Sequence, residues 1–165
     1  MIGRTPEYLG KKIGSAETRW IALYALVTPA VVLVLTGIAV ATSSGRAGLV
    51  TNMGPHGFTE ILFAYASCMA NNGLTMAGLN ANSEFYNVTT TIAMLAGRYG
   101  LAALALAFAG RFAAQRRLTT TAGTLPCDTP TFGALVFGTI LLAGALSFLP
   151  ALALGPIVEY LGHHP

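Results

Sequence analysis

The stretch FTEILFAYASCMANNGLTMAG, residues 58–78, decides how the chain folds. Its first half is an apolar run, and its second half is uncharged and rich in Asn and Gly. A helix of about a dozen residues rises less than ~20 Å, short of the ~30 Å hydrocarbon core of a bilayer. Runs of that length read as core or re-entrant helices rather than spans. Pro55 and Gly57 break the preceding segment, Thr59 is the expected N-cap, and Glu60 complements the positive N-terminal dipole. Asn71-Asn72-Gly73 is the expected stop, with Gly73 free to take a positive φ. The run carries no basic face, which argues against a helix lying flat at the membrane surface.

Working outward, three longer apolar segments flank this stretch. Trp20 to Ala41 is uncharged and contains Pro29; Val88 to Phe112 carries one internal charge, Arg98; a third begins near Phe132 and has Pro150 toward its far end. Each matches the roughly 20 apolar residues that a transmembrane helix needs. The composition agrees: 54% of residues are hydrophobic and 9% charged, far from the roughly 25% charge of a soluble domain. The expected class is all-α integral membrane, with three transmembrane helices, one re-entrant helix and the loop that follows it.

Nine Lys and Arg against six Asp and Glu give a net charge of +3. The cations cluster at the span edges without interleaved aromatics, so they read as topology signals and not as a nucleic-acid surface. Arg4, Lys11, Lys12 and Arg19 precede the first span, and Arg111, Arg116 and Arg117 follow the second. The positive-inside rule then puts the N-terminal segment and the 113–131 loop in the cytoplasm. Residues 42–87 and the C-terminal EYLGHHP face outside. The division is 1–19 cytoplasmic, 20–112 a helix–loop–helix unit, 113–131 a cytoplasmic loop, and 132–165 a final span with an external tail. The polar start lacks the apolar core of a secretory signal peptide.

Chemistry is confined to a few places. No CxxC, HExxH or Cys/His cluster points to a resident metal, and Cys68 and Cys127 fall at different depths, so no disulfide is expected. No nucleophile–base set or phosphate-cradling loop is present, so this chain has no catalytic residues of its own. A re-entrant helix aims its negative C-terminal dipole into the membrane, where it favours a cation. Extended backbone is allowed at that depth only beside protein or water, and its carbonyls can replace an ion's hydration shell. No carboxylate lies between Glu60 and Glu84, which suits a monovalent cation. Gly73 and Gly78 let the backbone turn and approach closely. Two readings of the loop stand side by side: a carbonyl filter, or a connector in which Asn80 and Asn82 are turn residues. Arg98, costly at mid-membrane unless it faces protein or water, either braces a neighbour or sets a fixed charge beside an ion path. Met69, Met76 and Met94 read as packing, and His163 and His164 as a solvated tail.

Several longer motifs then stand in order: GRTPEYLGKKI, NMGPHGFTEILFAYAS, NNG with AGLNAN and FYN, GRYG, GTLP and FLPALALGPIVEYL. Together they resemble the C-terminal portion of the potassium-binding A subunit of Kdp-type potassium-transporting ATPases, from Met1 to about Leu161. The resemblance implies a potassium-channel-like unit, in which four helix–pore loop–helix units surround one selectivity filter. It implies K+ as the transported ion and a multi-pass location in a bacterial inner membrane. It also implies a phosphorylated B subunit that hydrolyses ATP, and small C and F subunits, as partners alongside the remaining pore units and the lipid. On this match Thr59–Ala70 is the pore helix of the fourth unit. Asn71, Asn72, Gly73 and Leu74 are its filter positions, and Thr75, Gly78 and Arg98 support them. The family commonly has a third Asn where Ala70 stands and Ser where Leu74 stands. One unit cannot surround an ion. The chain is therefore expected to be a truncated frame, part of a split subunit or a remnant, with no selective conduction alone; the alternative is a scaffold that only associates with the other subunits. A reporter fused to the C-terminus should respond as external, and a cytoplasmic signal would overturn the topology.

Overall fold

The computed structural model describes residues 7–8, 10–117 and 129–162. It is mostly helical and divides into two compact units, Tyr8–Leu118 and a second made of 1–7 and 119–165. The first unit carries two short strands, β1 (Glu7–Tyr8, shared with the boundary) and β2 (Lys11–Lys12). After them come α1 (Ser15–Ala41), α2 (Ser43–Arg46), α3 (Pro55–Met69), α4 (Glu84–Leu95), a π-helical turn (Ala96–Gly100) and α5 (Leu101–Ala114). Helix α6 (Pro130–Gly162) belongs to the second unit.

Among the described residues two helices are long and apolar enough to cross a membrane, Ser15–Ala41 and the run Glu84–Ala114. The first starts at Ser15 rather than at Trp20. The polar turn joins the helix because the Glu17 carboxylate accepts the Gly14 N–H at 3.0 Å, filling a donor that helix N-termini leave unpaired. The second starts at Glu84 rather than Val88, with the Ser83 hydroxyl accepting the Tyr86 N–H at 3.3 Å. In the second unit, α6 opens with the Phe132 N–H on the Thr129 hydroxyl at 3.3 Å. It runs through Pro150 to Gly162, so Glu159–Gly162, expected in an external tail, are helical. His163 and His164 lie outside the described residues, as does Cys127; Cys68 is a buried free thiol.

The short helix α3 is real and central. Its 15 residues make a rod of about 22 Å. It starts at Pro55, not at Thr59. Pro55 occupies the first helical position after Gly54, whose φ is 70°, a position where a missing N–H costs nothing. Thr59 is therefore inside the helix and its hydroxyl donates back to the Pro55 carbonyl at 3.0 Å. Gly57 is helical too. It is buried, and a side chain there would strike the Asn52 carbonyl and Leu49.

Ile61, Ala64, Tyr65, Cys68 and Met69 of α3 form one buried face at helical spacing, as i, i+3, i+4 patterning requires. That face packs on Val32, Leu35 and Ala39 of α1 and on Tyr86 and Ala93 of α4, with Leu79 closing one end. Two tyrosines fasten the packing with their polar tips. Tyr65 Oη and Thr89 Oγ1 are 2.8 Å apart, and the Tyr86 hydroxyl donates to the Gly45 carbonyl at 2.8 Å. Tyr86 is fully buried, so removing its hydroxyl costs that carbonyl its shorter bond and leaves it the Gly48 N–H at 3.2 Å. Tyr86→Phe should lower unfolding stability in detergent by about 1–2 kcal/mol, read from a denaturation midpoint; an unchanged midpoint would show that the bond carries no load.

Candidate functional site

The site grows from the end of α3. Asn71 has φ of 61°. Its N–H bonds the Cys68 carbonyl at 3.0 Å, and the Asn72 N–H bonds the Ser67 carbonyl at 2.9 Å. This pair of bonds is a Schellman cap with Asn in the left-handed position that Gly usually fills. Gly73 then takes a second positive φ, 68°. The stop falls where the sequence places it, but Asn71 makes the first turn and Gly73 the next.

Three further contacts hold the loop. The Ser67 hydroxyl accepts the Leu74 N–H at 2.8 Å, reaching across the reversal of the chain. Arg98 Nε donates to Asn71 Oδ1 at 3.1 Å, and Asn71 Nδ2 donates to the Met69 carbonyl at 3.3 Å. A side chain at Gly97 would collide with that same carbonyl and lie 3.0 Å from Asn71 Nδ2. The glycine thus admits the end of α3 against the π turn, and the wider turn carries Arg98 to Asn71. Such single-turn π-bulges often sit at functional positions. Arg98 thus joins the π turn to the end of α3 through Asn71.

At its far end the loop is tied back to residues 48–52. The Val50 N–H bonds the Gly78 carbonyl at 2.8 Å and the Asn80 N–H bonds the Gly48 carbonyl at 2.7 Å, framing an isolated antiparallel bridge between Leu49 and Leu79. Gly78 lies against the Glu60 carboxylate and the Thr51 hydroxyl, leaving no room for a side chain. Glu60 is buried, and its Oε1 accepts the Asn52 Nδ2–H at 2.6 Å. It is therefore not a solvated dipole partner at a helix start, as the sequence has it, but the strut behind the returning arm. Its Oε2 has no partner in the described structure. Asn80 does what a turn residue does, accepting the Asn82 N–H on its side chain at 3.1 Å.

Between these anchors the loop is open. Residues 72–77 are exposed, and no hydrogen bond among the described residues ends on the carbonyls of Asn72, Gly73, Leu74 or Thr75. The structure brings together Asn71, Gly73, Leu74 and Arg98, adds Ser67 and Glu60, and among the described residues gives the side chains of Asn72 and Thr75 no hydrogen bond. Among the described residues no three His, Cys, Asp or Glu side chains converge. The oxygen-rich feature is the line of free backbone carbonyls, following a helix C-terminus whose dipole is negative.

Membrane-length helices packed around a buried short helix define a mostly helical membrane chain. The sequence profile of the potassium-transporting ATPase A subunit matches residues 1–161, and the chain belongs to that family. It is 54% identical over 161 residues to the potassium-transporting ATPase potassium-binding subunit of Burkholderia mallei, covering 98% of this chain and 27% of the relative. The subunits of the same name from Chromobacterium violaceum and Methylibium petroleiphilum are 53% and 52% identical over the same length. The chain thus spans 27% to 28% of the length of these curated relatives. The matches carry the family and this share of its length; the C-terminal placement is an expectation from the motifs alone.

The Ser67 hydroxyl is the least obvious of these anchors. Ser67→Ala should speed amide exchange at Leu74 by about fivefold to tenfold, as losing about 1 kcal/mol requires, without altering exchange in the middle of α3. Unchanged exchange at Leu74 would remove Ser67 from the site.

Proposed function

We propose that the chain is a potassium-binding and potassium-translocating element of an ATP-driven import complex, and that Asn71–Leu74 forms one strip of its selectivity filter. The observation that carries this reading is the run of carbonyls on Asn72–Thr75 that have no partner among the described residues, in a loop held by Ser67, Asn71 and Arg98. Carbonyl dipoles can replace the hydration shell of a weakly hydrated cation. In this reading residues 20–112 form one helix–pore loop–helix unit, Thr75 and Gly78 shape the loop, and Arg98 braces it while adding a fixed positive charge beside the ion. K+ is cargo. ATP hydrolysis belongs to a separate B subunit, and the remaining pore units and small C and F subunits complete the assembly.

The proposed setting is a bacterial inner membrane, with the N-terminus cytoplasmic and the C-terminus external. Leu74 brings an apolar side chain, 60% exposed, where the family pattern has a small polar one. Only its backbone is then offered to the ion. A second reading keeps the same fold but makes the chain a non-transporting scaffold; the chain's short share of its relatives favours testing it directly.

Complementation separates the two. Cells lacking the A subunit are grown at low potassium with this chain, with the remaining pore units, and with both. Growth only with both supports a filter strip, and Asn71→Ala or Gly73→Ala should then abolish it. Growth that survives both substitutions would leave the scaffold.

A further inference from the structure

The end of the first unit opposite the Tyr86–Gly45 bond holds two adjoining cavities that the filter reading does not use. One, of about 240 Å³, is a groove between α1 and α5 lined by Trp20, Ile21, Tyr24, Leu104, Ala105 and Phe108. The other, of about 380 Å³, includes Tyr8, Lys11, Phe108, Phe112 and Arg117. Phe108 belongs to both. The aromatic line continues from it, with Phe108 and Phe112 stacked at 5.6 Å and Tyr8 6.0 Å from Phe112. The first chamber is lined by apolar and aromatic side chains, and the second adds two cations and no carboxylate.

Those cations are placed differently. Lys11 Nζ donates to the Phe112 and Ala113 carbonyls at 2.7 and 2.9 Å and stands 5.7 Å from the Phe112 ring centroid. That uses two of its three N–H donors and fixes the charge at the end of α5. Arg117 is exposed and makes no hydrogen bond or ion pair among the described residues; its side-chain carbons run beside Gly10. A fixed lysine and an exposed arginine thus line a cavity that shares Phe108 with an apolar, aromatic-lined groove on a membrane-length helix.

We propose that this groove is a binding site for one anionic phospholipid. An acyl chain lies along Trp20, Tyr24, Leu104, Ala105 and Phe108, and the phosphate sits between Lys11 and Arg117. Charge complementarity selects the occupant. A partner helix or a neutral lipid would fill the groove but offer neither cation a net negative charge. Free phosphate would answer the cations but leave the groove bare. Basic pockets between membrane helices bind anionic headgroups in this way, and the amphipathic rings of Trp and Tyr suit the interface. The inference is independent of the filter reading, because the loop at residues 71–78 takes no part in it.

Trp20 is the single tryptophan of the chain and so a built-in reporter. The full chain is reconstituted in phosphatidylcholine vesicles containing equal small fractions of brominated phosphatidylglycerol or brominated phosphatidylcholine, and quenching of Trp20 is read. The anionic lipid should show at least about fivefold higher relative affinity, the order expected when a single cation is in play. Arg117→Gln removes no hydrogen bond or ion pair among the described residues and should bring the two lipids close to equality. Lys12→Gln, a change outside both cavities, should keep the preference. Ala105→Leu fills the groove and should weaken quenching by both. Equal quenching in the unsubstituted chain would overturn the site, as would a preference that survives Arg117→Gln. Loss of the preference in Lys12→Gln would reduce it to diffuse surface charge and overturn it as well.

Discussion

Everything at the loop depends on how α3 stops. A short helix buried on its inner face ends with carbonyls that have no partner within the helix and must find one as the chain turns back. The Schellman bonds of Asn71 and Asn72 satisfy the last carbonyls of the helix, and the left-handed Asn71 sets the direction of everything downstream. Asparagine tolerates that conformation less readily than glycine, but its side chain does a second job. It joins Arg98 on one side and the Met69 carbonyl on the other. The cap and the brace are one residue.

That brace explains an irregularity in the helical run from Glu84 to Ala114. Arg98 sits midway along Glu84–Ala114, where an uncompensated charge would be expensive. The π turn at Ala96–Gly100 and the bare Cα of Gly97 let the end of α3 press into this helix. The guanidinium then finds an amide oxygen instead of hydrocarbon. Deformation of the helix, absence of a side chain at 97 and the charge at 98 are parts of a single solution.

Much of this was legible in the residues. The apolar run ending at Asn71-Asn72-Gly73 announces a helix too short to span, and the flanking apolar segments announce the helices around it. The start of α3 is less legible. Reading Pro55 and Gly57 as breakers puts it too late, because Pro is at home in a first turn and Gly57 is required by the Asn52 carbonyl and Leu49, contacts that exist only after folding. Ser67 carries no signal of its own. Its hydroxyl meets Leu74 only because the chain reverses between them. Glu60 misleads for a related reason: near a supposed helix start it looks like a dipole partner, yet the returning Gly78 buries it against Asn52.

The two feet of the loop are fixed by unlike means. One is held by a helix cap and side chains from α3 and the π turn, the other by strand-like backbone bonds to residues 48–50 and the Glu60 strut. An arch pinned in this manner keeps its freedom for residues 75–77, beyond the Leu74 N–H that Ser67 holds. Freedom and rigidity are thus divided between neighbouring residues of one short segment.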